Sequence, residues 1–213
     1  MSVTREAVNR LCRYKNLLEK LQSLGFVKVF SDNLADAVGV SSALVRKDFS
    51  VFGLAGNKRG GYRVEELVGQ MNRILGKDEA QKVIIVGCGK IGTALMNYRG
   101  LARERIRIVA GVDVNPAKVA PAAPVPVRDL LEMPELIRRE KIRVAILAVP
   151  ETVAAHVAGT LIAAGIKGIL NFAPILLKST DECIVQNINI ALELENLFYH
   201  VRFAQKRAPR TAD

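Results

Sequence analysis

The sequence is short of several residue types, and each shortage limits what the protein can do. Tryptophan is absent, and the 213 residues include two histidines and three cysteines. The cysteines (Cys12, Cys88 and Cys183) are odd in number and widely spaced, which suits a reducing compartment and offers no metal-ligand spacing. His156 and His200 lie in stretches with helical periodicity, where an acid–base role in hydride transfer is hard to place. We therefore expect no metal site and no enzymatic activity.

Long apolar runs are also missing. No segment reaches the roughly 18 apolar residues of a membrane span, and the N-terminus does not resemble a signal peptide. Since 50% of the residues are hydrophobic, the chain can still build one large core or two small ones. A cytoplasmic protein with no membrane partner is the expectation.

Positive charge, in contrast, is in excess. The chain has 31 Lys and Arg against 21 Asp and Glu, a net charge of +10. Up to Lys77 there are 13 basic and 7 acidic residues (+6), and beyond it 18 and 14 (+4). The shorter segment is the more basic per residue, which favours an acidic partner such as nucleic acid. A solvated basic surface is the alternative.

Helical patterns follow one another in the basic segment. Three helices are predicted there, over residues 4–24, 33–38 and 42–49. Ser31 or Asp32 is expected to cap the second helix and Ser41 the third, with Gly39 making the turn between them. This order predicts a helix-turn-helix, in which Arg46 and the neighbouring Lys47 enter a major groove.

A glycine-rich basic stretch, residues 52–63, follows and predicts a β-hairpin wing anchored by Tyr62, before a fourth helix over residues 64–75. A three-helix packing module with a polar face is the alternative to DNA binding. The candidate DNA-binding residues are Ser41, Ser42, Arg46, Lys47, Ser50, Lys58, Arg59, Gly60 and Tyr62.

The β-branched run Val83–Val86 predicts a buried strand, and the glycines after it match the dinucleotide fingerprint G-x-G-x-x-G at positions 87, 89 and 92. A second strand, Ile106–Asp113, ends in a carboxylate about 20 residues later. At that spacing an acid binds the ribose 2′-hydroxyl of NAD and repels the 2′-phosphate of NADP. The alternative is a tight turn in an α/β fold that binds no nucleotide.

Strands and helices continue to alternate. Helical patterns begin at Val127 and Glu151, and strands are predicted over residues 144–150 and 168–174. The chain is therefore predicted to be α/β, with a doubly wound parallel sheet that binds its ligand at the carboxyl ends of the strands. A last helix, residues 189–206, is apolar enough to pack on a second subunit, or alternatively on its own sheet. The predicted domains are 1–77, 78–184 and 185–213.

Several motifs together make the chain resemble the Rex family of redox-sensing transcriptional repressors over nearly its full length. They are Val45-Arg46-Lys47-Asp48-Phe49-Ser50, Phe52-Gly53, Gly61-Tyr62, the glycine loop, Tyr98 and the run from Ala164 to Pro174. The resemblance implies a winged helix, a Rossmann domain and a swapped terminal helix in a homodimer. Such a dimer binds palindromic operator DNA while NAD⁺ is abundant, and NADH releases it. In the wing, Ala55, Lys58 and Arg59 depart from the family's pattern.

The resemblance also assigns residue roles. It implies a switch in which an Arg on the first helix pairs with an Asp opening the swapped helix, while a Tyr near the cofactor exchanges with them. Tyr98 is present, but Asn16 and Asn189 stand at the other two positions, which predicts weaker coupling. The candidate cofactor-binding residues for NADH and NAD⁺ are Gly87, Cys88, Gly89, Lys90, Ile91, Gly92, Tyr98, Asp113, Val149, Pro150, Asn171, Ala173 and Tyr199.

Two other functions compete with a repressor. One is an NAD-dependent oxidoreductase, which needs an acid or base beside the nicotinamide. The other is a dinucleotide- or CoA-binding module with a vestigial DNA arm. Asp113 favours NAD over CoA, because its carboxylate suits a free ribose diol.

Overall fold

A computed structural model describes residues 3–54, 60–119 and 123–207. The chain divides into two compact units, Met1–Ala80 and Gln81–Asp213. Each unit has its own apolar core. Among the described residues, no helix combines the length and the apolar character that crossing a membrane requires.

The first unit is a small helical domain with one two-stranded sheet. Its elements are α1 (Arg5–Ser23), β1 (Lys28–Val29), α2 (Ser31–Val38), α3 (Ser42–Val51), β2 (Tyr62–Arg63) and α4 (Val64–Ile74). The apolar faces of the four helices meet in one cluster, since each helix has apolar residues at three- and four-residue spacing. Its fully buried members include Leu11, Tyr14, Leu18, Leu34, Val45, Val64 and Met71.

The helix caps follow the prediction at α3 and depart from it at α2. Ser41 precedes α3, and its Oγ accepts the Leu44 N–H at 3.2 Å. The predicted cap of α2 is wrong, because the helix already begins at Ser31 and Phe30 occupies the cap position. Phe30 has no side-chain acceptor, and its own N–H instead donates to Asn33 Oδ1 at 3.2 Å. The local pattern indicated the helix but not its first turn.

The strand before the fourth helix pairs with a segment that the sequence analysis did not assign. Val29 of β1 lies opposite Tyr62 of β2 in an antiparallel pair. The Tyr62 ring packs edge-on against Phe49, with ring centroids 5.0 Å apart. Tyr62 therefore anchors this end of the predicted wing to the core. Residues 55–59, with the predicted wing residues Lys58 and Arg59, lie outside the described part of the chain.

The second unit is a six-stranded parallel sheet with helices between the strands. Its elements are β3 (Gln81–Val86), α5 (Lys90–Met96), α6 (Gly100–Arg103), β4 (Ile106–Asp113), α7 (Pro116–Val119), β5 (Val127–Asp129), α8 (Met133–Glu140), β6 (Val144–Leu147), α9 (Glu151–Ala163), β7 (Gly168–Asn171), β8 (Ile184–Asn187) and α10 (Ile190–Arg207). The strand order β5-β4-β3-β6-β7-β8 confirms the predicted doubly wound sheet. Strand order reverses between β3 and β6, where such sheets bind ligands.

Alternate residues of β3 face opposite sides of the sheet and are covered on both. Ile84 and Val86 belong to one buried cluster, and Ile85 belongs to another. Because both faces are buried, the strand is a continuous β-branched run rather than an alternating one. That burial is why the sequence indicated β3 so clearly.

Two strands differ from the prediction. The helix expected from Val127 is wrong at its start, because Val127–Asp129 form β5 and pair with β4 up to Asp113 opposite Asp129. β8 was not predicted at all. Three or four residues are too few to show a two-residue period, and the leucines after Asp129 continue a helical spacing that hides the strand.

Candidate functional site

The glycine loop lies at the carboxyl end of β3, at the point where strand order reverses. Gly87 has φ +91°, a left-handed conformation that side chains rarely adopt. A Cβ added there would collide with the carbonyl oxygen of Ala148, the residue after β6. Gly87 therefore makes the turn and lets two neighbouring strands come together.

The other two glycines of the fingerprint have opposite surroundings. A Cβ on Gly92, in the first turn of α5, would collide with the carbonyl oxygen of Gly87. A Cβ on Gly89 would meet no described atom within 4 Å. Gly92 is thus needed for packing within the fold, whereas Gly89 keeps a space open beside its backbone. An open backbone of this kind is what the approach of a pyrophosphate requires.

The carboxylate of Asp113 lies beside this loop at the end of β4. Asp113 Oδ2 accepts the Cys88 N–H at 2.8 Å, and Oδ1 accepts the Asn115 N–H at 2.9 Å. These two bonds fix the orientation of the carboxylate at the carboxyl edge. Each oxygen retains accepting capacity, so the group can also receive hydroxyl donors.

Cys88 is a packing residue within the loop. Its thiol is 3% exposed and donates to the Val112 carbonyl oxygen at 3.5 Å. Burial, together with the negative charge of Asp113, raises the pKa of the Cys88 thiol to about 11. Since the thiolate is the reactive form, this raised pKa disfavours a reactive Cys88 at neutral pH.

The remaining predicted cofactor residues of the sheet end at the same edge. Val149 and Pro150 follow β6, and Pro150 occupies the cap position of α9. Asn171 ends β7, and its Oδ1 accepts the N–H of Ala173 at 3.0 Å. The Asn171 amide is 1% exposed and bonded inside the protein. Asn171 thus shapes the loop after β7.

Four predicted residues lie on exposed surfaces. Lys90 and Ile91 begin α5, and both are exposed. Tyr98 follows α5, is 62% exposed, and has its ring close to Gly100. Tyr199, on α10, contacts Phe203 along its own helix, with ring centroids 4.4 Å apart.

The two predicted switch asparagines are also exposed. Asn16 lies on α1. Asn189 precedes α10, and its Oδ1 accepts the Leu192 N–H at 3.1 Å, which makes it the N-cap. They belong to different units of the chain.

The first unit presents a polar face on α3. Arg46, Lys47 and Ser50 are exposed there, Ser41 caps the helix, and Ser42 is half-buried. The Arg46 guanidinium donates to Ser31 Oγ, on α2, at 3.0 Å. This bond uses one of five guanidinium donors, so Arg46 retains the capacity to bind bases or phosphates. Gly60, also half-buried, precedes β2 on the described side of the predicted wing.

An ion pair behind this face, between the buried Asp48 and the partly exposed Arg10, was missed by the sequence analysis. Arg10 of α1 donates to both oxygens of Asp48 on α3, each at 2.7 Å. The Tyr14 hydroxyl donates to Asp48 Oδ2 at 3.1 Å. Burial first, and then the bond to Asp48, raises the pKa of Tyr14 to about 12. The same carboxylate raises the pKa of the Arg10 guanidinium.

One signal in the sequence pointed to this pair. Asp48 occupies the apolar face of α3, between Val45 and Phe49 at helical spacing. A buried carboxylate needs a partner, but the sequence does not say that the partner is 38 residues away on α1. The pair locks α3 onto α1 and so holds the polar face of α3 in place.

Metal binding has no support in the described part of the chain. No group of three or more His, Cys, Asp and Glu residues there has the arrangement to hold a metal ion.

Two family models match the chain, one in each unit. A putative DNA-binding protein N-terminus model matches residues 2–50, and a CoA binding domain model matches residues 78–175. The first covers α1 to α3, and the second covers β3 to β7 with the glycine loop.

Curated relatives match nearly the whole chain. A redox-sensing transcriptional repressor Rex of Lactobacillus gasseri is 40% identical over 93% of this chain and 94% of its own. The protein of the same name from Exiguobacterium sp. is 38% identical over 94% of this chain and 92% of its own.

Solved structures match in the same way. A crystal structure of RSP, a Rex-family repressor, has a TM-score of 0.83 at 32% identity and covers 96% of both chains. RSP in complex with beta-NAD⁺ and operator DNA has a TM-score of 0.86 at 32% identity and covers 100% of both. RSP in complex with beta-NADH has a TM-score of 0.81 at 32% identity, over 96% of this chain and 97% of that one. The chain therefore belongs to the Rex family.

Proposed function

We propose that this protein is a transcriptional repressor that senses the NADH/NAD⁺ ratio: it binds operator DNA while NADH is low and leaves it when NADH rises. One observation carries the proposal. A helix-turn-helix with an exposed basic face and a glycine loop with a nearby carboxylate occur in one chain of the Rex family. A relative at 32% identity has been crystallised with NAD⁺ and operator DNA, and with NADH.

The cofactor edge suits NAD(H) better than CoA. Gly89 leaves room for a pyrophosphate, which both cofactors contain, so the glycines alone do not choose between them. The fixed carboxylate of Asp113 accepts hydrogen bonds from a free ribose diol and repels a phosphorylated ribose. CoA and NADPH both have a phosphate on that ribose. Asp113 is therefore the residue that selects NAD(H).

The DNA contacts are assigned to the exposed face of α3 and to the wing. Arg46 is the candidate for base reading, because a guanidinium binds guanine O6 and N7 with two hydrogen bonds. Lys47 and Ser50 are assigned to phosphates. The Arg10–Asp48 pair contributes indirectly by fixing α3, and Tyr62 anchors the wing.

Repression and release require two conformers. NADH shifts a population only if it binds the conformer that does not bind DNA better than the other one. The functional form is proposed to be a homodimer on a palindromic operator, held by the exchange of α10.

An oxidoreductase is the competing proposal, and the histidines argue against it. His156 is exposed on α9, and its backbone oxygen accepts the Thr160 hydroxyl at 3.2 Å. His200 is exposed on α10. Neither residue lies in the glycine loop or directly after a strand of the sheet, so no acid–base residue for hydride transfer is assigned. We propose that the protein binds NADH without turning it over.

A mobility-shift titration tests the function. Operator DNA is titrated with protein in the presence of NAD⁺ and of NADH, for the wild type and for Arg46→Ala with Lys47→Ala. Loss of a bidentate Arg–guanine contact weakens binding by about 1–3 kcal/mol, so the double variant should bind at least about tenfold more weakly.

The matched control is Arg13→Ala with Lys20→Ala, which removes the same charge from exposed positions on α1. Its loss of affinity should be clearly smaller. Equal losses in the two double variants would assign DNA binding to net charge and not to α3. An operator affinity that is identical in NAD⁺ and NADH would contradict redox sensing.

A further inference from the structure

Two asparagine side chains connect the loop after β7 to the start of α10. Asn171 ends β7 and Asn187 ends β8, and the two lie opposite each other in the sheet. The Asn171 Nδ2 donates to Asn187 Oδ1 at 2.8 Å. Because Asn171 is 1% exposed, water cannot readily replace this bond.

Both amides also hold the loop itself. Asn171 Nδ2 donates to the Ile175 carbonyl oxygen at 2.8 Å, and its Oδ1 accepts the Ala173 N–H at 3.0 Å. Asn187 Oδ1 accepts the Leu177 N–H at 3.1 Å, and its Nδ2 donates to the Leu177 carbonyl oxygen at 2.9 Å. Residues 172–177 are therefore tied at their start, middle and end to one amide pair.

The other side of the pair leads directly into α10. The Ile188 N–H donates to the Asn171 carbonyl oxygen at 2.8 Å. Asn189 follows and caps the helix by accepting the Leu192 N–H. Two residues thus separate the amide pair from the first turn of α10. A shift of the loop moves the start of α10, or else it leaves buried donors and acceptors without partners, which is unfavourable.

We propose that Asn171 and Asn187 are positioning residues that transmit cofactor occupancy from the loop 172–177 to α10. This inference rests on the proposed function, in which NADH binds at the carboxyl edge where the loop lies. Asn171 is among the predicted cofactor-binding residues, but we propose a positioning role for its side chain, because both of its N–H groups donate inside the protein, to Ile175 and Asn187. The Asn171–Asn187 pair makes the loop 172–177 and the first turn of α10 move together.

The test compares Asn187→Leu with Asn187→Asp in the full-length protein. Leucine removes every hydrogen bond of the Asn187 side chain at similar volume. Aspartate keeps the acceptor for Asn171 and for the Leu177 N–H, but it replaces the donor to the Leu177 carbonyl oxygen with a charged oxygen. Three quantities are measured for each variant: NADH affinity, operator affinity without NADH, and operator affinity with saturating NADH.

We expect Asn187→Leu to reduce the NADH-induced change in operator affinity by about fivefold or more, the lower end of typical coupling between sites. NADH affinity and NADH-free operator affinity should each change much less. Asn187→Asp, which keeps the hydrogen bond to Asn171, should retain more of the response than Asn187→Leu. A reduced NADH response with nearly unchanged affinities for NADH and for the operator indicates a positioning role. A general loss of folding would instead weaken the binding of both NADH and the operator.

Ser179→Ala is the matched control. The Ser179 hydroxyl also joins the loop region to β8, accepting the Val185 N–H at 2.9 Å, but it does so at the opposite end of the strand from α10. Its removal should leave the NADH response unchanged. An equal loss of response in Ser179→Ala and Asn187→Leu would overturn the inference, as would a wild-type response in Asn187→Leu.

A measurement on the wild type covers the case in which Asn187→Leu fails to fold. NADH should change the hydrogen-exchange rates of the Leu177 and Ile188 amides, whose acceptors belong to the pair. Unchanged rates on saturation with NADH would overturn the inference while leaving the proposed function intact. A wild type whose operator affinity does not respond to NADH would remove the proposed function, and this inference with it.

Discussion

At the scale of single residues, the fingerprint glycines have separable roles. Gly92 is required by the fold, since its Cβ would collide with the carbonyl of Gly87, while a Cβ on Gly89 meets open space. Sequence motifs treat these positions alike, but the structure gives a packing reason for Gly92 and leaves open space at Gly89, which we propose admits the ligand.

This difference gives a first prediction. Gly89→Ala should keep the wild-type Tm and bind NADH at least about tenfold more weakly, because a methyl group blocks the pyrophosphate. Gly92→Ala should lower the Tm, since overpacking costs about 1–3 kcal/mol. Calorimetry and an NADH titration check both. The assignment is wrong if Gly89→Ala binds NADH normally, or if the two variants unfold at the same temperature.

A second prediction concerns the buried hydroxyl of Tyr14. Its pKa is raised from 10.0 to about 12, mainly by burial, so the folded state keeps a proton that the unfolded state loses. The free energy of unfolding should therefore be unaffected by this group below pH 10 and should fall as the pH rises to 12. Two pKa units correspond to about 2–3 kcal/mol.

Denaturant unfolding at pH 9, 10, 11 and 12 measures this fall. Tyr14→Phe should remove the Tyr14 part of the pH dependence, whereas Tyr98→Phe, at an exposed position in the other unit, should not. A wild-type slope in Tyr14→Phe would show that the Tyr14 hydroxyl does not titrate as described.

At the scale of elements, α10 exposes many large apolar side chains in the second unit. Its large apolar side chains are between 47% and 68% exposed. All of them except Phe198 form two stripes on opposite sides of the helix: Ile190, Leu194, Leu197 and Val201 on one, and Leu192, Tyr199 and Phe203 on the other. Phe198, Glu195 and Arg202 lie between the stripes. Two opposite apolar stripes favour a helix enclosed on both sides over one that lies on a single surface.

A third prediction follows for the proposed dimer. Leu197→Asp on one stripe and Phe203→Asp on the other should each dissociate the dimer at micromolar concentration, because the proposed exchange of α10 would bury both stripes. Glu195→Lys, between the stripes, should leave the dimer intact. Sedimentation velocity measures the three variants. If only one stripe is sensitive, the helix lies on one surface and is not enclosed.

At the scale of the whole molecule, the proposed switch would involve Asn16 and Asn189, which are exposed and belong to different units of the chain. The resemblance to the Rex family implies an Arg and an Asp at these positions; since both charges are absent here, neither would be left without a partner. A neutral hydrogen bond contributes about 0.5–1.5 kcal/mol, and charge-assisted bonds are roughly twice as strong. Coupling of about 1–3 kcal/mol is therefore sensitive to this replacement.

A fourth prediction states the consequence. NADH should weaken operator binding of the wild type by less than about a hundredfold, and Asn16→Arg with Asn189→Asp should increase that factor. The single change Asn16→Arg is the control, because it adds a charge without a partner. The measurement is the operator affinity of the wild type and both variants, with and without saturating NADH. A wild-type factor above a hundredfold that the double change does not increase would refute the prediction.

Much of this architecture was predictable from short stretches of sequence. The β-branched run of β3, the glycines that follow it and the acidic end of β4 predicted a dinucleotide fold, and the fold is confirmed. Ser41 and Gly39 marked the ends of the helices correctly. These signals are local: the residues that cause a strand, a turn or a cap lie within a few positions of it.

The tertiary structure decided the features that depend on distant partners. Asp48 meets Arg10 on another helix, Asn171 meets Asn187 across two strands, and β5 is a strand because β4 lies beside it. Local sequence patterns do not specify such pairs, because many polar side chains could form the same hydrogen bond. Packing decides which of them are buried away from water and therefore need a partner inside the protein. The two loop glycines also depend on tertiary structure. Gly92 is needed because the carbonyl of Gly87, five residues earlier, lies against its Cα, whereas no described atom fills the space beside Gly89.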